Sequence, residues 1–269
     1  GYGEKNPVIE KSQFILTLFE RVAGEGTLGA KEKSILDRCV AKVYDLQKSK
    51  GVLPCLPLLR NVLQEQPEPE AMELSLMLEL FTDGSLNIFS HESNIGVQDK
   101  RIVVYNCRDM GEELKSLGQL IVTDQMINRV ASNWEQGIRT HIFLDEYHTL
   151  LEHEYSAHFF DSAFRRFRKR DAWVTALTQN VEYVLDSLTA RTMLSNSEYI
   201  IMLNQAASDR EKLAELLHIS EQQLSYVTNA QAGNGLMRIG SAIVPFINQF
   251  PRDSKLYALM TTRPSDRVA

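Results

Sequence analysis

Residues 140–146 read Thr-His-Ile-Phe-Leu-Asp-Glu, and Tyr147-His148 follow. A short apolar run that ends in two adjacent carboxylates has the pattern of a buried parallel strand delivering acids to the carboxyl edge of a sheet. Two readings fit it. In the plain one a strand is followed by an acid that caps a helix. In the other the strand serves nucleotide chemistry, where an Asp holds the water shell of Mg²⁺ and a neighbouring Glu polarises an attacking water.

The neighbouring segments favour the second reading. Residues 173–178 form another apolar run and end in Gln179-Asn180. Residues 199–203 form a third and end in Asn204-Gln205. Between the first two, residues 156–170 place Ala157, Phe160, Ala163, Phe164 and Phe167 at helical spacing. Parallel strands joined by such crossovers would bring all three polar ends to one edge, where open α/β sheets build their sites. Residues 102–105 and 256–260 read as further strands, residues 117–131 as a helix, and residues 236–239 with 242–247 as a hairpin turning at Gly240-Ser241.

The amino-terminal third reads differently. Phe14, Ile15, Leu18, Phe19 and Val22 make one helical stripe, and Ile35, Leu36, Cys39, Val40 and Val43 make another. Pro54 and Pro57 break the next stretch, so residues 56–63 begin a separate helix. Residues 64–70 are a polar, acidic linker, and a helix over 71–81 is ended by Asp83-Gly84. The expected organisation is a mainly helical insertion over residues 1–95 and an α/β core over 96–269.

Composition narrows the class. A chain of 269 residues holds one large or two small domains. No run approaches the ~18 apolar residues of a membrane span, and the polar amino terminus has no signal-peptide pattern. Cys39, Cys55 and Cys107 lack metal or redox spacing and read as reduced thiols of a cytoplasmic protein. A net charge of −6 excludes a chain-wide nucleic-acid coat. His153 and His158 lie five apart, which turns a helix by ~500° and disfavours a zinc pair.

A phosphate-binding loop needs G-x-x-x-x-G-K-[ST]. The stretch Gly24-Glu-Gly-Thr-Leu-Gly29 is followed by Ala30 where the Lys is required, and a helical stripe rather than a strand precedes it. It reads as a glycine-bearing loop between helices. The basic run Arg165, Arg166, Arg168, Lys169 and Arg170 fits a solvated helix end or a local DNA patch.

In combination these motifs resemble one family. Asp145-Glu-Tyr-His148, Arg168-Lys169, Thr178-Gln-Asn180 and Leu203-Asn-Gln205, with the stretches 6–22, 74–94, 117–130 and 224–264, are similar to the carboxy-terminal ATPase domain of the conjugation and type IV secretion ATPases. These are the VirB/TraC/TraE-like group of the FtsK–HerA superfamily. The resemblance implies an α/β fold: a RecA-like P-loop NTPase core with a partial, mostly parallel sheet and an all-helical insertion. It implies ATP and Mg²⁺ as cofactors, with Asp145 holding the Mg²⁺ through water, Glu146 activating the hydrolytic water and Gln179 sensing the γ-phosphate. It adds a third reading of the basic run, in which Arg168 and Lys169 reach a neighbouring subunit's γ-phosphate as an arginine finger. Arg210 would couple subunits.

The same resemblance implies a motor that powers conjugative transfer or type IV secretion. It would act as a homo-oligomer, a hexameric ring, in the cytoplasm at the inner face of the cell membrane. Its partners would be inner-membrane secretion components, with a coupling protein and DNA as further candidates. A DNA-translocating ATPase of the HerA or coupling-protein kind and a non-catalytic assembly module are the alternatives. In the family a Walker A strand and loop come before the region matched by residue 1. The chain then reads as a piece of a longer ATPase, inactive alone, whose sheet lacks its central strand between the strands ending at Gln179 and Asn204.

Overall fold

The structure is a computed structural model that describes residues 7–24, 26–91, 96–97, 100–107, 110–150, 167–179, 181–204, 207–228 and 230–261. Its residue contacts divide the chain into two units, residues 1–140 with 169–172, and residues 141–168 with 173–269.

The first unit is helical. It contains α1 (Pro7–Ala23), α2 (Ala30–Lys50), α3 (Leu56–Gln64), α4 (Pro69–Thr82) and α5 (Glu112–Glu135). Pro69 opens α4 at a position where the missing N–H costs nothing. Gly51 closes α2 with φ +69°, a left-handed conformation suited to a residue without Cβ. The apolar stripes seen in the sequence converge here. Leu18, Phe19, Leu36, Leu63, Leu74 and Leu78 are fully buried in one core, and Leu117 and Leu120 of α5 join it. Lys11 of α1 pairs with Asp124 of α5. The helix α5 thus packs with the helices that precede it, whereas the sequence reading places a boundary near residue 95.

Two small sheets follow, with further helices beside them. In the first, β1 (Thr140–Leu144) pairs with β2 (Ala172–Ala176). Thr140 N–H donates to Asp171 O at one end, and Leu177 N–H donates to Leu144 O at the other. The partners advance together along both strands, so the pair is parallel. Alternation in β1 buries Ile142 and Leu144 and leaves Phe143 69% exposed. The apolar run is therefore covered on one face, not on both as its composition suggests.

The second sheet has the order β3-β4-β5, formed by Tyr199–Met202, Asn234–Ile239 and Ala242–Ile247. Both pairings are antiparallel, with Tyr199 opposite Ile239 and Ile239 opposite Ala242. The expected hairpin forms, turning through Gly240 at φ +56°. A Cβ at Gly235 would sit 2.4 Å from Met202 O, so only glycine lets β3 and β4 approach at that point. The helices Val181–Asp186 (α6), Leu188–Ser195 (α7), Ala207–Leu217 (α8) and Glu221–Leu224 (α9) accompany this sheet. Leu185, Ile200, Met202, Leu213, Leu217, Val227 and Leu236 form its core.

Three expectations need correction. Residues 102–105 belong to no strand among the described residues, since an apolar run becomes a strand only with a hydrogen-bonding partner. Residues 256–260 are helical, within Lys255–Met260 (α10), because Ser254 Oγ accepts from Tyr257 N–H at 3.1 Å and caps a helix there. The three polar strand ends do not share one hydrogen-bonded edge. Only the ends of β1 and β2 are joined, and β3 lies in the other sheet. Most of the helix expected over 156–170, with His153 and His158, lies outside the described residues.

Candidate nucleotide-hydrolysis site

The acids stand at the carboxyl end of β1, on a turn with an unusual backbone. Glu146 has φ +47°, a left-handed conformation that costs a non-glycine residue about 1–2 kcal/mol. Bonds on both sides hold it there. Glu146 N–H donates to Asp145 Oδ1 at 3.1 Å. Thr149 donates twice to Glu146 O, from its N–H at 2.9 Å and its Oγ1 at 3.0 Å. Tyr147 N–H donates to Leu177 O at 2.9 Å, extending the bonding between the two strand ends. The Tyr147 ring is buried and its hydroxyl reaches Met193 Sδ at 2.9 Å, which pins the turn from below. Residues 147–150 continue as a single 3₁₀ turn.

The turn aims Glu146 at the end of β2. Gln179 Nε2 donates to Glu146 Oε1 at 3.1 Å. An ionised carboxylate only accepts, so the amide must present its NH₂ group. The other carboxylate oxygen, Oε2, lies 3.3 Å from His148 Nδ1. That nitrogen is 3.0 Å from Thr178 Oγ1. Glu146 is thus bounded by the last residues of the neighbouring strand, directly through Gln179 and by way of His148 through Thr178. The sequence places His148 and Thr178 inside the motifs of the resemblance but assigns neither a role at the site. Their contact joins positions thirty apart, and its one local sign is the spacing of the two polar residues from Glu146 and Gln179.

Asp145 is exposed beside this cluster. Two adjacent carboxylates give hard oxygen donors of the kind Mg²⁺ takes together with water and phosphate oxygens. No group of three potential ligand residues occurs among the described residues. The chemistry of this donor pair fits Mg²⁺.

The remaining candidates are elsewhere. Arg168 and Lys169 belong to a 3₁₀ turn, Arg168–Arg170, that precedes β2, whereas Gln179 follows it. They stand at the opposite end of that strand from the acids' partner. Lys169 is exposed. Arg210 lies in the first turn of α8, after β3. Asn204, at the end of β3, has its Oδ1 accepting from Ala230 N–H at 3.2 Å and takes no part in the Glu146 cluster. Gln205 and Asn180 lie outside the described residues.

Comparison with known proteins agrees with this architecture. A solved structure described as VirB4 of Thermoanaerobacter pseudethanolicus superposes with a TM-score of 0.74 at 19% identity, covering 92% of this chain and 71% of that one. At that identity the likeness shows the shared α/β fold. The sequence matches no curated protein at a significant level. Residues 70–261 match the family described as the TraG P-loop domain, a span that includes both strands of the site and its Asp145-Glu146 turn. The chain belongs to the TraG P-loop domain family, whose members are conjugation and type IV secretion ATPases.

Proposed function

We propose that the chain supplies the acid half of an ATP-hydrolysing site in a motor that powers conjugative transfer or type IV secretion. The observation that carries this is the contact between Glu146 and Gln179 at the joined ends of β1 and β2, with Asp145 beside it. In this reading Mg²⁺ supplies charge neutralisation between phosphate oxygens when nucleotide is bound. Asp145 holds its water shell, Glu146 takes the proton of the attacking water, and Gln179 orients the group around the γ-phosphate. The chain carries no G-x-x-x-x-G-K-[ST] loop. Since that loop gives such chemistry its phosphate cradle, residues 1–269 alone would bind ATP weakly, and turnover would belong to the intact protein.

Arg168 and Lys169, displaced to the other end of β2, suit a role toward a second subunit's nucleotide, and with Arg210 they support a ring assembly, hexameric in this proposal. A peripheral position on the cytoplasmic membrane face, among secretion components, completes the reading. Among the described residues no helix is long and apolar enough to cross a membrane.

Steady-state ATP hydrolysis by the intact protein tests the assignment. Glu146→Gln should lower turnover by about 10²–10⁴-fold while leaving Mg-ATP affinity unchanged. A variant that hydrolyses ATP at the wild-type rate would remove Glu146 from the chemistry. Tight Mg²⁺-dependent ATP binding by residues 1–269 in titration calorimetry would show a phosphate cradle of another kind.

A further inference from the structure

Glu146 must point its carboxylate in one direction to act as a base, and its environment does not do this by burial. The side chain is 44% exposed, whereas that of His148 is 18% exposed. The better-buried imidazole is the fixed partner. Its Nδ1 faces two oxygens at once, Thr178 Oγ1 at 3.0 Å and Glu146 Oε2 at 3.3 Å. A bare ring nitrogen would set a lone pair against the carboxylate, so the proton belongs on Nδ1 and is shared between the two acceptors. The residue is seated by the same turn that holds Glu146 in its left-handed conformation, since Tyr147 N–H is bonded to Leu177 O on the strand that ends in Thr178 and Gln179.

We propose that His148 is a positioning residue for Glu146, a clamp that ties the second carboxylate oxygen to Thr178 while Gln179 holds the first. This rests on the reading of Glu146 as the base. Two adjacent residues of β2's end then control both oxygens of the carboxylate. Of the roughly four lone-pair directions a carboxylate offers, two are occupied by the clamp and two are left for water. A displacement of the β2 end, such as one driven through Gln179, would turn the base as a unit. Hydrolysis would be gated without any change in the residues that hold nucleotide.

The test is ATP hydrolysis and Mg-ATP binding by the intact protein, with four variants. Glu146→Gln controls for the underlying reading and should nearly abolish turnover. His148→Ala should lower kcat by about 10–100-fold, the loss expected when a reacting group is misdirected, with KM and Mg-ATP affinity within about twofold. His148→Asn places an amide N–H near the Nδ1 position and should restore kcat to within about threefold of wild type. Thr178→Val removes the acceptor, keeps the β-branched shape a strand prefers and should lower kcat by about 3–10-fold, which serves as the measurement if His148→Ala does not fold. Wild-type kcat in His148→Ala or in Thr178→Val, with Glu146→Gln inactive, overturns the clamp and leaves the base standing. Equal losses in His148→Ala and His148→Asn overturn it too, because they make the ring a packing element. An active Glu146→Gln overturns the reading beneath both.

Discussion

The helical unit and the α/β unit both leave some large apolar side chains in water, but they differ in how many they bury completely. In the first, the large side chains Phe19, Leu36, Leu63, Leu74 and Leu78 are wholly withdrawn from water. In the second, the strands leave large side chains outside: Trp173 is 54% exposed, Tyr199 63% and Ile247 73%. Burial contributes roughly 25 cal/mol per Å² of apolar surface, and the helical unit gathers most of the fully buried large side chains into one core. What the second unit has instead is polar order at its strand ends, where Glu146, His148, Thr178 and Gln179 fix one another. Packing and chemistry are thus concentrated in different parts of the chain.

The sharpest break in that comparison is predicted at Glu146. Replacing it by Gln preserves shape, keeps the melting temperature of residues 1–269 within a few degrees, and lowers ATP turnover in the intact protein by about 10²–10⁴-fold. A melting temperature that falls as steeply as turnover would make the residue structural.

Truncation in the helical core should do the reverse. Leu74→Ala empties space in a fully buried position and should cost about 2–5 kcal/mol by urea denaturation. A cost below 1 kcal/mol would mean that the core relaxes around the gap and that the contrast between the units is weaker than their burial implies. The matching change on an exposed strand face, Ile201→Thr, keeps β-branching at a position 58% exposed and should alter stability by less than about 0.5 kcal/mol. A loss as large as that of Leu74→Ala would show this strand face to be covered.

The sequence made these two characters legible to different depths. Helices of the first unit were readable because a 3.6-residue stripe states both the element and the face it buries; α1 and α2 follow their stripes. The strand with Asp145-Glu146 and the hairpin at Gly240 were readable from apolar runs and a turn residue. Pairing was not. An apolar run at 102–105 carries no mark of whether a partner strand lies beside it, and the Ser254 cap at 255–260 outweighed an apolar pattern short enough to suit either element. Within the site, the acids and Gln179 could be named from their place at strand ends. The left-handed turn at Glu146 could not, since it is imposed by Thr149, Tyr147 and the end of β2 rather than by a glycine.

The smallest expected effect concerns charge. Four carboxylates of the helical unit are held below the ordinary value of 4.5, each chiefly by a hydrogen-bonded cation: Glu20 by Lys33, Glu65 by Lys42, Glu68 by Arg38 and Glu70 by Lys31. Their contacts are short, 2.8 Å for the Lys31–Glu70 and Arg38–Glu68 pairs and 2.9 Å for Lys42–Glu65. A carboxyl group whose pKa is lower folded than unfolded adds stability above its unfolded value. That contribution is lost as pH falls from about 4.5 through the lower folded values. Glu65 is exposed and the other three are part-exposed, so screening keeps each contribution small. The pairs tie α2 to α1, to α4 and to the segment between α3 and α4, so their loss should loosen the edges of the helical unit before its leucine core. Denaturation of residues 1–269 at pH 6 and at pH 3.5 should show a modest drop. That drop should shrink in a variant carrying Glu20→Gln, Glu65→Gln, Glu68→Gln and Glu70→Gln, and again for the wild-type chain in about 0.5 M salt. An identical drop in the quadruple variant would move the acid sensitivity away from these pairs. The self-contained stability of the helical unit would then rest on its apolar core alone.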